Sequence, residues 1–166
     1  MINHTVSGIG FDVHALKPAK NQHIILCGVS IPCDYQIIAH SDGDVALHAI
    51  VDAILGTIAA GDIGEHFPPS DARWKNADST LFLKHTLQLC AEKKATLIHL
   101  DVTIIAEVPK INPYKKIMKE KLSEITGLAL HHINIKATTT EQLGFLGRKE
   151  GIAAQAIATI YYEFTG

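Results

Sequence analysis

Residues 45–55 read VALHAIVDAIL, nine apolar positions broken only by His48 and Asp52. At helical spacing such a segment is apolar on nearly every side, so its helix has to be buried. The surrounding pattern predicts that helix over 42–60. His40, Asp44, His48 and Asp52 recur every fourth residue. Residues four apart share a helix face, with Cβ atoms roughly 6 Å apart. His40 falls just ahead of the first turn. A polar line on a buried helix must face a cleft, a metal or an interface, because unpaired buried charge is costly. Ser41 and Asp44 also fit a capping box, so Asp44 reads as structural. Asp42 has a similar plain reading, complementing the helix dipole. Asp52 is expected behind a ligand as a hydrogen-bond partner, or beside a substrate.

A second element can supply the partners that this line lacks. In "GFDVH", Asp12 and His14 are two apart, so on a strand they point to one side. Together with His48 they make three protein ligands. Three ligands leave the fourth tetrahedral position of Zn²⁺, or of another divalent transition metal, open to water or phosphate. Spacing alone allows an equal alternative in which Asp12 caps a turn and His14 lies on the surface. Ten histidines in 166 residues make the metal reading worth pursuing.

The remainder of the chain predicts α+β architecture. The expected arrangement is a mixed sheet packed on one side by about three helices, with a small β-hairpin, as one domain over 1–166. Strands are expected at "SGIGFDVHAL", 96–108, "HINIKATT" and "GIAAQAIATIYYEF", and the hairpin about Gly28 and Val29. "GDIGEHFPPSD", with two glycines and two prolines, reads as loop. Helices are expected over 78–94 and 113–126, the latter with Pro113 at its start and Gly127 at its end.

Net charge is −2 and no Lys/Arg run occurs, which argues against a nucleic-acid face. No apolar run approaches the ~18 residues of a membrane span, and no signal or transit pattern opens the sequence. Cys27, Cys33 and Cys90 lack CxxC spacing and read as buried free thiols in a reducing, cytoplasmic compartment.

"KATTTEQLGFLGRKEG", residues 136–151, forms a second constellation. The hydroxyls of Thr138, Thr139 and Thr140 and the glycine-loop N–H groups suit phosphate oxygens, and Arg148 can pair them bidentately. Phe145 lies in the same stretch. Glu141 is a hard oxygen donor suited to a Mg²⁺ or Mn²⁺ that also binds phosphates. No GKS/T follows the glycines, so this is not a Walker loop. "EVPKINP" is a candidate base- or sugar-reading connection, or simply a helix entry. On spacing alone a metal-dependent phosphohydrolase using zinc-bound water, or a non-catalytic zinc and nucleotide binding module, stays open.

Five stretches in order, "GFDVHAL", "AHSDGDVALHA", "GDIGEHFPPSD", "DVTIIAEVPK" and "KATTTEQLGFLGRKEG", resemble the successive motifs of the 2-C-methyl-D-erythritol 2,4-cyclodiphosphate synthase family. The likeness runs from about residue 8 to about residue 160. It implies a homotrimer with active sites between neighbouring subunits. It also implies closure of 4-diphosphocytidyl-2-C-methyl-D-erythritol 2-phosphate to a cyclic diphosphate with release of CMP, in the non-mevalonate route to isoprenoid precursors.

By the same resemblance, Asp12, His14 and His48 are zinc ligands, and Glu141 binds a Mg²⁺ or Mn²⁺ bridging the diphosphate. His40 and Ser41 contact phosphate, and Thr139 acts with His40 on the transition state. Asp62 and Gly64, with Ile63 between them, contact ribose, while Phe67 and Asp71 lie over the erythritol. Ala106 to Asn112, including Pro109, Lys110 and Ile111, form the cytosine pocket. Two positions depart from some relatives: Pro69 and Gln155 stand where those carry acidic residues.

Overall fold

The structure, a computed structural model, describes residues 4–163. Five strands among them form one mixed sheet in the order β2-β1-β5-β3-β4. They are β1 (His4–Leu26), β2 (Val29–Ile38), β3 (Ala95–Ile105), β4 (Ile133–Thr138) and β5 (Gly151–Tyr162). Only β3 and β4 pair in parallel. The longer helices are α1 (Val45–Thr57), α3 (Ser79–Glu92) and α4 (Lys115–Thr126). The short α2 (Ile63–His66) and α5 (Gly144–Gly147) are single turns. The expected α+β architecture and mixed sheet are therefore present.

Several boundaries differ from the sequence reading. The first strand and the first arm of the hairpin are one strand of 23 residues, half paired with β5 and half with β2. The hairpin is thus larger than expected. Leu26 pairs with Val29 across a two-residue turn, with φ of 51° at Cys27 and 74° at Gly28. Two positive φ values give the primed turn whose twist matches the flanking strands.

Helix α1 starts at Val45 rather than 42, because Asp44 caps it: its side chain accepts from Leu47 N. The 61–71 segment is not loop throughout. Asp62 accepts from Glu65 N and nucleates α2. Pro113 lies in a 3-10 turn ahead of α4, whose end at Gly127 (φ 76°) is as expected. β5 is a strand despite its alanines, and Phe164, the last residue of that expected strand, lies outside the described residues.

Burial alternates along β1 from Val6 to Leu16. On β1, Gly10 and Leu16 face the helices, while Ile9, Phe11 and Val13 are exposed on the opposite face. A Cβ on Gly8 would lie 2.1 Å from Ala53 O, and one on Gly10 only 1.9 Å from Ala49 O. The missing side chains let α1 lie backbone-to-backbone on β1. Ala154, Ala156 and Ala158 of β5 extend this small-residue floor. Every α1 residue except Asp52 and Gly56 is buried, as an all-round apolar helix requires.

Candidate metal centre

The close seating of α1 on β1 brings His48 over the two residues of β1 that point to the helix side. Asp12 Oδ2 lies 3.0 Å from His48 Nδ1 and 3.1 Å from His14 Nε2, and the two ring nitrogens are 3.0 Å apart. These three side chains form a group able to hold a metal ion. For ligand bonds of about 2.0–2.2 Å, tetrahedral zinc spaces its donors roughly 3.3 Å apart, close to this triangle. The alternative of a surface His14 and a turn-capping Asp12 is overturned by the convergence. Burial would raise the Asp12 carboxyl, but hydrogen bonds from His14 and His48 and their nearby charge hold it well below the usual carboxylate range.

The polarity of the site tests the fit to a cation. His48 Nε2 lies 2.8 Å from Ser79 Oγ, and Ser79 Oγ donates to Asp42 Oδ1. A carboxylate only accepts, so the single Ser79 proton is already used. Ser79 therefore accepts from His48 Nε2–H, which leaves Nδ1 as the nitrogen facing Asp12 Oδ2 at 3.0 Å. A positive charge between those two atoms, a ring proton or a metal ion, satisfies both, so the corner is polarised for a cation.

β2 ends opposite Ala15, so the chain leaves the sheet beside His14 and carries His40 and Ser41 to the mouth of this corner. The 76–79 segment pins them: Asn76 N donates to His40 O at 2.8 Å, and Asp42 N to Ala77 O at 3.1 Å. A cavity of about 200 Å³ opens here, lined by the three ligand residues together with His40, Ser41, Ile63, Gly64, Phe67, Pro69, Trp74 and Phe82. The sequence reading missed Trp74 and Phe82. Phe82 stacks on Phe67 at 4.3 Å and Trp74 meets Phe67 edge-on at 5.2 Å. The single Trp was the one available signal. Its indole nitrogen is buried and, among the described residues, has no hydrogen-bond partner.

The four polar positions of the first helix divide between two tasks. His40 and His48 line the cavity. Asp44 turns away: it is fully buried and accepts from Cys27, Gly28 and Leu47 N–H groups. Asp52 accepts from Ile63 N at 2.7 Å and so ties α2 to α1, and burial raises its carboxyl. Asp42 is more than a dipole complement, since it grips both Ser79 N and Ser79 Oγ. Asp62 and Asp71 cap short helical turns, and Asp71 also holds Arg73.

The second constellation lies elsewhere in the chain. Ala106, Pro109, Lys110, Ile111, Asn112, Thr138 and Thr139 line a cavity of about 150 Å³ at the ends of β3 and β4. It shares no lining residue with the first. Thr139 accepts from Glu141 N, and Thr140 donates to Leu143 O. Glu141 is exposed, with φ 54°. Phe145 is 46% exposed, and Arg148 is paired with Glu150 rather than lying free as a phosphate clamp.

The fold and site together define an α+β protein with an Asp/His/His corner open to one cavity and a separate polar cavity at its parallel strand pair. The chain belongs to the YgbB family, whose model matches residues 5–161.

Its curated relatives include the bifunctional enzyme IspD/IspF of Rhizobium rhizogenes, 50% identical over 157 residues, which cover 95% of this chain and 38% of that protein. That of Maricaulis maris is 53% identical over 155 residues, covering 93% and 40%. The chain thus spans about two fifths of the length of these relatives.

Among solved structures, the bifunctional IspDF of Campylobacter jejuni superposes with a TM-score of 0.92 at 40% identity, over 98% of this chain and 43% of that one. IspF of Plasmodium falciparum in complex with CDP gives 0.85 at 31%, covering 99% and 100%. A 2C-methyl-D-erythritol-2,4-cyclodiphosphate synthase with CDP bound gives 0.84 at 32%, covering 93% and 99%. The family resemblance of the five motifs is borne out.

Proposed function

We propose that this chain, as a single domain, converts 4-diphosphocytidyl-2-C-methyl-D-erythritol 2-phosphate to 2-C-methyl-D-erythritol 2,4-cyclodiphosphate and CMP. The observation that carries the reading is the convergence of Asp12, His14 and His48 beside His40 and Ser41 in a chain of this family. In the reaction an oxygen of the 2-phosphate bonds to the β-phosphorus, and the bond from that phosphorus to the CMP oxygen breaks. No protein nucleophile is needed, so positioning and charge stabilisation carry the rate.

Asp12, His14 and His48 would hold a divalent ion such as Zn²⁺ and Glu141 a Mg²⁺ or Mn²⁺, and these ions would supply charge neutralisation and polarisation of the phosphoryl groups. Glu141 suits the second role because Mg²⁺ is commonly held by one carboxylate plus substrate phosphates. His40 and Thr139 donate hydrogen bonds to oxygens as their charge develops, and Ser41 orients the phosphate.

Ile63, Gly64 and Phe67, already at the cavity wall, with Asp62 and Asp71 hold the ribose and erythritol parts. Ala106 and 109–112 read the cytosine edge through the second cavity. The CDP bound to two of the similar structures supports a cytidine diphosphate ligand here.

The active protein is a homotrimer in this proposal, with each site shared between neighbours. Two observations support it. His40 and Thr139 line different cavities of one chain. The uncovered sheet face also carries Ile9 at 63% and Phe11 at 55% exposure, an apolar patch of the kind that interfaces cover. A reducing, cytoplasmic setting agrees with the free thiols of Cys27, Cys33 and Cys90. No helix of the described residues is long and apolar enough to cross a membrane.

The test is to incubate the purified protein with the diphosphocytidyl substrate, Zn²⁺ and Mg²⁺ and to follow phosphorus NMR. The expected result is CMP plus a cyclic diphosphate. A linear phosphate product, or no CMP at all, would overturn the proposal.

A further inference from the structure

The metal corner is backed by a residue that no part of the proposed reaction uses. Ser79 is fully buried at the first turn of α3, 31 residues from His48 in sequence. Asp42 holds it at two points: Ser79 N donates to Oδ2 at 2.9 Å, and Ser79 Oγ donates to Oδ1. The hydroxyl therefore cannot turn its proton toward the imidazole. At 2.8 Å it offers only a lone pair to His48 Nε2. Ser41 Oγ, at 3.2 Å from the same nitrogen, keeps a rotatable proton and enforces neither tautomer.

We infer that the Asp42–Ser79 pair is a positioning device that keeps a proton on His48 Nε2, so that Nδ1 is the ring nitrogen left to coordinate a cation lying against Asp12 Oδ2 and His14 Nε2. The inference rests on the metal-site reading above and deepens it. A histidine ligand is generally oriented by whatever its second ring nitrogen touches, and losing that contact typically costs about 10–100-fold in metal affinity. Here the contact is supplied by a serine whose own proton is spent on a carboxylate. Asp78 caps α3 through Thr80 N, which places the helix's first residue between the loop ahead of α1 and a ring on α1 itself.

The first test needs no variant. Long-range ¹H–¹⁵N spectra of the protein, metal-free and with Zn²⁺ added, report which ring nitrogens carry a proton. His48 is expected to keep its proton on Nε2 in both states. A ring protonated on Nδ1 alone would overturn the inference.

The second test measures Zn²⁺ affinity by chelator competition for wild type, Ser79→Ala and Ser79→Thr, with circular dichroism to verify folding. Ser79→Ala is expected to lose about 10–100-fold in affinity and to show both tautomers, and Ser79→Thr to regain both properties. Wild-type affinity in Ser79→Ala would overturn this inference alone. A wild-type protein that binds no zinc would overturn the metal reading and this inference together.

Discussion

Asp44 is a fully buried carboxylate that accepts three backbone N–H groups, two from the turn of the hairpin and one from the first turn of α1. Burial pushes its carboxyl up to about 6, with the Leu47 and Gly28 N–H groups pulling it back. The sign of the stability effect follows from where protons bind. Between the unfolded value of about 3.9 and the folded value, the folded chain holds the proton more tightly, so this group's contribution to stability falls as pH rises. The stability difference between wild type and Asp44→Asn should therefore shrink from pH 4 to about 6 and then level off. Urea unfolding of the two proteins across that range checks it. A flat difference would place the charge on Asp44 throughout.

His48 makes a sharper prediction. His48→Ala should abolish CMP release and lower zinc affinity by more than the roughly 10–100-fold typical of groups behind a ligand, so that metal analysis finds little zinc bound. Full zinc occupancy would remove His48 from the ligand set.

The decisive packing between elements is that of α1 on β1. Gly10→Ala puts a methyl group into the Ala49 carbonyl, so either the helix must lift or the strand must bend. Overpacking of this kind costs about 1–3 kcal/mol, and a 1.9 Å approach to backbone belongs at the upper end or beyond. Zinc affinity should fall as well, since lifting α1 moves His48 away from Asp12 and His14. Gly56 on the same helix is the contrast, because the nearest atom to its would-be Cβ is 3.9 Å away. Gly56→Ala should stabilise the protein by about 0.5–1 kcal/mol through helix propensity, with zinc binding unchanged. Thermal melts and zinc titrations of the pair separate crowding from propensity. Equal behaviour of the two variants would show that the glycine floor does not position the site.

At the scale of the molecule, the division of site residues between two cavities meets an uncovered apolar sheet face. Phe11 lies in the middle of that face, flanked by Ile9 and Val13 on its own strand, with Ile157 on β5 beside them. On the proposed assembly, Phe11→Glu should give monomers where the wild type gives trimers in light scattering, and should abolish turnover. It should leave one zinc bound per chain, because Asp12, His14 and His48 all belong to one protomer. A trimeric, active Phe11→Glu protein would relocate the interface.

Local chemistry was readable in the sequence wherever period and spacing act within one element. The two-residue period put Asp12 and His14 on one side of a strand, and the apolar run at 45–55 demanded a buried helix. Gly127 marked the end of α4, and the β-branched close of β5 outweighed its alanines. These features depend on neighbours a few residues away, which the chain order supplies directly.

The capping pattern marked Asp44 as structural, and it does cap α1, but the spacing of the four polar residues could not show which backbone each would meet. His40 and His48 face the cavity, while Asp44 serves the hairpin and Asp52 the α2 turn, because each answers to whichever backbone packs beside it. Only the tertiary structure decided that Gly8 and Gly10 would seat α1 directly on β1. Nor did sequence show that Ser79, from a distant helix, would complete the environment of a metal-facing imidazole. Such encounters depend on the excluded volume and hydrogen-bond satisfaction of the whole packed chain, which no local pattern encodes.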